Sequence, residues 1–255
     1  MRGARAARAA AGVCFYARRN CKAALILIDS EIGLTFLLNL TSYRRYLMTN
    51  SIIAIKGSHL DKQIEIFKEF NYVDVQQDEQ FDNLNDMYDY LFDNYFNFSE
   101  RDVVLRGIWF DNDWTIICDP EMINVWDGPA LLKLSDKVKS DVMTFLIQTT
   151  SGSFGFTKCG LSGQRNFLSI NGSVTENTGL PLPEESGLNI NEQIFTDDII
   201  SLADKFGINF EKTAPQSCLA KKLNYTEELK RELTTFKSDR VKVPTQKKHT
   251  WWKFW

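Results

Sequence analysis

The clearest indication of the fold class is the stretch VVLRGIWFDNDWTIIC at residues 103–118. Two apolar runs, Val103–Phe110 and Trp114–Cys118, are separated by the polar triplet Asp-Asn-Asp at 111–113. Apolar runs rich in β-branched and aromatic residues on either side of a short polar turn are typical of a β-hairpin. The sequence therefore predicts antiparallel sheet in this part of the chain.

The flanking sequence predicts further strands and helices in mixed order. The apolar patterns indicate strands at 51–55, 72–76, 142–149, 154–158 and 165–170, and a last short strand at 208–210. Helical spacing and capping residues indicate helices at 60–71, 80–95, 127–139 and 196–207. Residues 174–195 are expected to form an irregular loop. This order predicts an α+β fold with a mostly antiparallel sheet and helices packed on one face.

Charge divides the 255 residues into three segments, although the formal net charge is only −3. Residues 48–211 carry 27 Asp or Glu and eleven Lys or Arg, whereas residues 1–47 and 212–255 are both basic. We predict an acidic α+β domain over 48–211, followed by a basic C-terminal helix and aromatic tail over 212–255. Such asymmetry is evidence about binding partners rather than about the fold.

The first 47 residues are rich in Arg and Ala and have four interpretations. Asp29 and Glu31 interrupt the apolar run at 21–40, which disfavours a secretory signal and a transmembrane helix. The Arg-rich, acid-free opening is typical of a mitochondrial transit peptide. We favour the fourth interpretation, a non-native extension before a true start at Met48. The composition changes there, and residues 44–47 could be encoded by a purine-rich, ribosome-binding sequence.

An acid-rich segment between Lys68 and Arg101 contains nine Asp or Glu and no Lys or Arg. The helix predicted at 80–95 lies within it, with six apolar residues on one side and Met87 and Tyr90 at the margins. Four acidic residues share the opposite side, because they are spaced by four, three and four residues. These residues are Asp82, Asp86, Asp89 and Asp93.

The four aspartates have two interpretations. They could form an ordinary solvated helix face, as charged runs usually do. They could also form a docking surface, since clustered carboxylates steer a basic protein toward them and speed its association. Tyr90 would then serve as an aromatic anchor beside the charges.

Motifs for catalysis or for a cofactor are weaker. Residues 151–155 read SGSFG, which lacks the first Gly of the G-x-S-x-G motif. Residues 111–113 begin like an EF-hand loop, but Ile116 stands where that loop needs Gly, and the Cys and His residues lack zinc-ligand spacing. We predict no cofactor, no metal and a protein without enzymatic activity. The alternative is a hydrolase or metal-dependent enzyme whose carboxylates meet only in three dimensions.

The chain ends in a basic and aromatic sequence, KKHTWWKFW at 247–255. Lys and Trp together favour weak contact with a membrane surface, which gives a second alternative, a peripheral membrane protein. They equally suit a tail that docks onto the protein's own acidic, aromatic surface. The aromatic residues concerned are Trp251, Trp252, Phe254 and Trp255.

Several features after Met48 carry a family resemblance. They are the hairpin with Trp109 and Trp114, the hairpin at 151–156, Arg165, and the stretch GLPLPEE at 179–185. In these features the chain resembles the small acidic α+β proteins of bacteria, among them the immunity proteins of polymorphic toxin systems.

That resemblance implies a protein that neutralises a toxin by binding and blocking it. Nuclease toxins present basic clefts, which suits an acidic docking face. We therefore predict a cytoplasmic, non-catalytic binding protein that docks a basic protein partner, such as a toxin. Nucleic acid is excluded as a partner, because a core with a net charge of −16 would repel phosphate.

Overall fold

A computed structural model describes residues 49–99, 103–160, 163–188, 194–210 and 215–231. Nine strands form one antiparallel sheet in the order β2-β9-β3-β4-β1-β5-β6-β7-β8. The strands are β1 (Thr49–Lys56), β2 (Tyr72–Phe81), β3 (Val103–Asp111), β4 (Trp114–Cys118), β5 (Val142–Gln148), β6 (Ser153–Gly160), β7 (Gly163–Ile170), β8 (Ser173–Thr178) and β9 (Cys218–Tyr225).

Four α-helices are described at their full length, and residues 227–231 are also α-helical. They are α1 (Gln63–Glu69), α2 (Leu84–Ser99), α3 (Gly128–Val138) and α4 (Thr196–Lys205). The mixed order of helices and antiparallel strands confirms the predicted α+β class.

The helices lie on both faces of the sheet, so the prediction of helices on one face is wrong. In β1, Ile52 and Ala54 belong to a core that includes α2 and α4, whereas Ile53 and Ile55 belong to a second core that includes α1 and α3. Successive residues of a strand point to opposite faces, so a strand with apolar residues at consecutive positions is buried on both sides. Every residue of Trp114–Cys118 is buried, as expected for a strand that lies between two cores.

The hairpin predicted at 103–118 is confirmed as β3 and β4. Asp111 pairs with Trp114, and the two turn residues Asn112 and Asp113 have φ values of 44° and 68°. Positive φ at both central residues is what a two-residue type I′ turn requires, and Asn and Asp tolerate it better than most residues.

The segment after residue 211 is not entirely an appendage. β9 lies between β2 and β3 and pairs with both, so residues 218–225 are part of the sheet. Residues 208–210, predicted as the last strand, are irregular, and residues 173–178 form β8 rather than a loop. The amphipathic pattern of β9 is obscured in sequence because Lys221 and Lys222 interrupt it, although Lys221 is buried.

Candidate functional site

The four predicted docking aspartates lie on one exposed surface, but they do not all belong to the helix. α2 begins at Leu84, so Asp82 lies in the bend between β2 and α2, while Asp86, Asp89 and Asp93 lie on the helix. All four residues are exposed. We call this surface, made of Asp82, Asp86, Asp89 and Asp93, the acidic face.

Asp86 also helps α2 to begin. The side-chain oxygen of Asn83 accepts a hydrogen bond from the backbone N–H of Asp86 at 2.9 Å, and the Asn83 amide donates to the Asp86 carboxylate at 2.7 Å. Asn83 is therefore the N-cap, and a negative charge in the first turn also suits the helix dipole. The predicted start at residue 80 is four residues too early, because β2 continues to Phe81 and α2 begins at Leu84.

We expect Asn83→Ala to destabilise the protein by about 1 kcal/mol, because the first turn of α2 would lose its side-chain acceptor. Urea unfolding of the full chain measures this difference. Asn85→Ala is the matched control, since Asn85 is exposed in the same turn and is not the cap. Equal midpoints for the two variants would contradict the capping role of Asn83.

The inner side of α2 differs in one respect from the prediction. Met87, expected at the margin, is fully buried. It lies over Gly107 of β3, where an added Cβ would stand 2.9 Å from Met87 and from Leu91. The absence of a side chain at Gly107 lets α2 approach the sheet closely, which fixes the height of the acidic face above the strands.

Tyr90 lies where α2 meets β2. Its ring is half-buried and tilted against Phe81, with the centroids 5.4 Å apart. Burial and the neighbouring carboxylate of Glu79 together raise the pKa of Tyr90. Tyr90 is thus a pre-positioned ring at the margin of the acidic face, and Glu79 is an additional acid that the sequence prediction did not include.

The negative field of this surface reaches a buried thiol. The Cys218 Sγ lies 3.4 Å from the backbone oxygen of Asn83. Burial and then the carboxylates of Asp82 and Asp86 raise the pKa of Cys218 to about 11. This thiol therefore stays protonated at neutral pH and is unsuited to act as a nucleophile.

The charge of the helices is uneven across the sheet. The layer of α2 and α4 contains six acidic residues and one basic residue, whereas the layer of α1 and α3 contains three of each. In the second layer, cations such as Lys137 lie close to acids, with 2.9 Å separating Lys137 Nζ from the Glu69 carboxylate. The acidic character is thus concentrated on one side of the molecule.

A buried charged network on the other face was not predicted. Arg106 of β3 is 1% exposed and donates to Glu121 at 2.9 Å, to Asn124 at 2.8 Å and to the Tyr72 hydroxyl at 3.0 Å. It also forms an ion pair of 3.1 Å with Asp119, which is fully buried. Four side chains, one from β2 and three from residues 119–124, thus share one guanidinium.

Neighbouring groups set the ionisation of this network. Burial alone would lower the pKa of Arg106, but the carboxylates of Asp119 and Glu121 raise it above its ordinary value. Burial raises the pKa of Glu121, and Arg106 only partly opposes the rise. Burial likewise raises the pKa of Tyr72 well above its ordinary value. Arg106 therefore stays charged, and the Tyr72 hydroxyl stays neutral and donates to the Asn124 side-chain oxygen at 3.0 Å.

A second buried cation lies beside the first. Lys221 of β9 is the register partner of Arg106 and is 1% exposed. Its ammonium contacts Asp74 at 2.9 Å and Asp78 at 2.7 Å, on the two sides of the bulge in β2. The bulge brings both carboxylates to one ammonium.

These carboxylates meet in three dimensions, yet each is matched by a buried cation. A general acid or base needs access to a substrate, and Asp119 and Glu121 are 0% and 7% exposed. Among the described residues, no group of three or more His, Cys, Asp or Glu is arranged to hold a metal ion. The network is therefore a structural element that joins β2, β9, β3 and the turn after β4.

Two features that carry the family resemblance are joined by the fold. Arg165 of β7 and Glu185 form a bidentate ion pair, with both N–O distances 2.8 Å. The two Trp residues of the β3–β4 hairpin lie in the core shared with α2 and α4, and Trp114 Nε1 donates to the Phe206 oxygen at 2.9 Å. These residues stabilise the fold.

Two other predicted segments lie outside the described residues. They are the extension at 1–47 and the tail with Trp251, Trp252, Phe254 and Trp255. Within the described part of the chain, no helix is long and apolar enough to cross a membrane.

Comparison of the chain with protein-family models, with curated proteins and with solved structures finds no match.

Proposed function

We propose that this protein is a non-catalytic binding protein, of the immunity or inhibitor kind, that docks a basic protein partner through its acidic face. The observation that carries the proposal is that the excess of acidic residues lies in the helices on one face of the sheet. The acids of α2 are exposed together, while the layer of α1 and α3 is balanced.

Electrostatics gives this arrangement a mechanism. Several like charges on one surface produce a field that orients an approaching basic protein and raises the association rate, and salt screens the effect. Tyr90 supplies a ring already held by Phe81, so little side-chain entropy is lost when a partner covers it. A basic cleft blocked in this way would be inhibited without any chemical step.

The proposal is tested by capture of partners from native lysate with the full chain, at low and high salt. In the test variant, the four aspartates of the acidic face are changed to Asn. We expect a basic protein to be retained by the parent chain at low salt, lost at high salt and lost from the variant.

A matched control removes four negative charges from other exposed positions. The control carries Asn or Gln at Asp61, Glu65, Asp113 and Asp136, which are all exposed. Loss of the partner from the acidic-face variant alone would support a localised docking surface. Equal retention by all three proteins would mean that the acidic face is only solvated, and would refute the proposal.

A further inference from the structure

β2 forms one edge of the sheet, next to the acidic face. Among the described residues, β2 pairs only with β9, so the backbone N–H and C=O groups along its other side have no strand beside them. Residues 76–80 are all exposed, in contrast to the fully buried β4. An exposed edge of this kind is a template for an additional strand.

The edge is irregular in its first half and regular in its second. The register between β2 and β9 shifts between Asp74 and Asp78, and a bulge of this kind discourages strand pairing. From Asp78 to Phe81, however, each residue pairs with successive residues of β9. The second half of β2 therefore offers a regular edge.

The regular part of the edge borders the acidic face. Glu79 and Phe81 pair with Ala220 and Cys218, which belong to the core beneath α2. Glu79 is close enough to Tyr90 to affect its ionisation, and Asp82 follows at the end of the strand. A strand added here would lie alongside carboxylates from both β2 and the acidic face.

We propose that β2 binds an extended segment rich in Lys or Arg, supplied by the partner protein, as an additional strand at Asp78–Phe81. The proposal rests on the proposed function, because the acidic face determines the charge of the segment. Backbone hydrogen bonds hold the strand, and the carboxylates select basic side chains. A second copy is a poor occupant, since pairing two β2 edges would bring Asp78 and Glu79 of both chains together.

Two synthetic peptides test the proposal with the full chain. One alternates lysine and valine, and the other has the same length and charge but repeats two lysines followed by two prolines. Successive residues of a strand point their N–H groups to opposite sides, so one proline of each pair must face β2. Because proline has no N–H, only the first peptide can pair fully with β2. We expect the valine peptide to bind about tenfold or more tightly in fluorescence anisotropy, since a few net hydrogen bonds amount to that ratio.

The variant that lacks the four charges of the acidic face separates the two proposals. It should weaken both peptides, and by a larger factor at low salt than at high salt. Equal affinity of the two peptides for the parent chain, with loss in the variant, would refute strand addition and leave the acidic docking face intact. Binding unaffected by the four charges would refute the docking face.

Hydrogen exchange gives a readout that needs no variant. We expect the amides of Asp78–Phe81 that point away from β9 to exchange rapidly in the free protein and to slow when the valine peptide is added. The opposite edge, β8, is the internal control and should not change. Slow exchange of these amides before any peptide is added would mean that the edge is already covered. If the protection does not depend on protein concentration, another segment of the same chain covers the edge; if the protection increases with concentration, a second copy does. Either result would refute the proposal.

Discussion

Arg106→Met is expected to lower the free energy of unfolding by about 3–5 kcal/mol, because it leaves buried carboxylates without their cation. Glu121 is 7% exposed, and Asp119 is fully buried and cannot turn to solvent without losing the hydrogen bond that it accepts from the Asn124 N–H. The methionine side chain fills part of the volume but neutralises nothing. Urea unfolding of the full chain measures the loss.

The matched control is Lys139→Met, which removes an exposed cation. Lys139 contacts Asp136 at 2.6 Å, but both side chains are more than two-thirds exposed. Such pairs contribute about 0–1 kcal/mol. A loss from Arg106→Met no larger than that from Lys139→Met would show that the network does not depend on its guanidinium.

The loss in the free energy of unfolding caused by Arg106→Met should also depend on pH. Arg106 holds the pKa of Glu121 down, so its removal raises that pKa further above the ordinary value of 4.5. A carboxyl with a raised pKa in the folded state binds a proton more readily there than in the unfolded chain. The loss of stability is therefore complete at neutral pH and becomes smaller as the pH falls through the raised pKa of Glu121. A difference in stability between the parent chain and Arg106→Met that grows as the pH falls would contradict this role of Glu121.

The strands and turns could be predicted because their signals are local. The hairpin at 103–118 follows from its apolar runs and the Asp-Asn-Asp turn. The number of helical layers was missed, although Ser51–Ile55 and Trp114–Cys118 lack the alternation of a one-sided sheet. Consecutive apolar residues are the signal that indicates helices on both faces.

The shared side of Asp86, Asp89 and Asp93 on α2 could also be predicted, but most of the buried network could not. Aspartates spaced by three and four residues on a helix share a side whatever they pack against. Arg106 and Asp119 do lie opposite each other at the end of the predicted hairpin, next to the pair Gly107 and Cys118. Tyr72 and Lys221, in contrast, come from β2 and β9, so only the tertiary structure brings them to Arg106. A lone Arg within an apolar run, as at 106, is the one local hint of a buried ion pair, since Lys221 is followed directly by Lys222.

Arg165→Met is expected to release the 180–186 turn from the sheet and to lower stability by about 3 kcal/mol. Arg165 holds Glu185 through two bonds of 2.8 Å, and it also donates to the Asn177 side chain and the Thr178 oxygen. Glu185 in turn accepts from the Leu182 N–H at 2.9 Å. Faster exchange of the Leu182 and Glu185 amides would report the release.

Arg165→Lys distinguishes the charge from the geometry of this pair. Lysine keeps the positive charge but cannot reproduce the planar fork that meets both carboxylate oxygens. We expect Arg165→Lys to lose part of the stability and to leave the turn only partly protected, because one contact replaces several. If the Lys variant matched the parent chain while the Met variant did not, charge alone would hold the turn. If the Met variant also kept slow exchange at Leu182, packing of the turn against the sheet, rather than the ion pair, would be what fixes it.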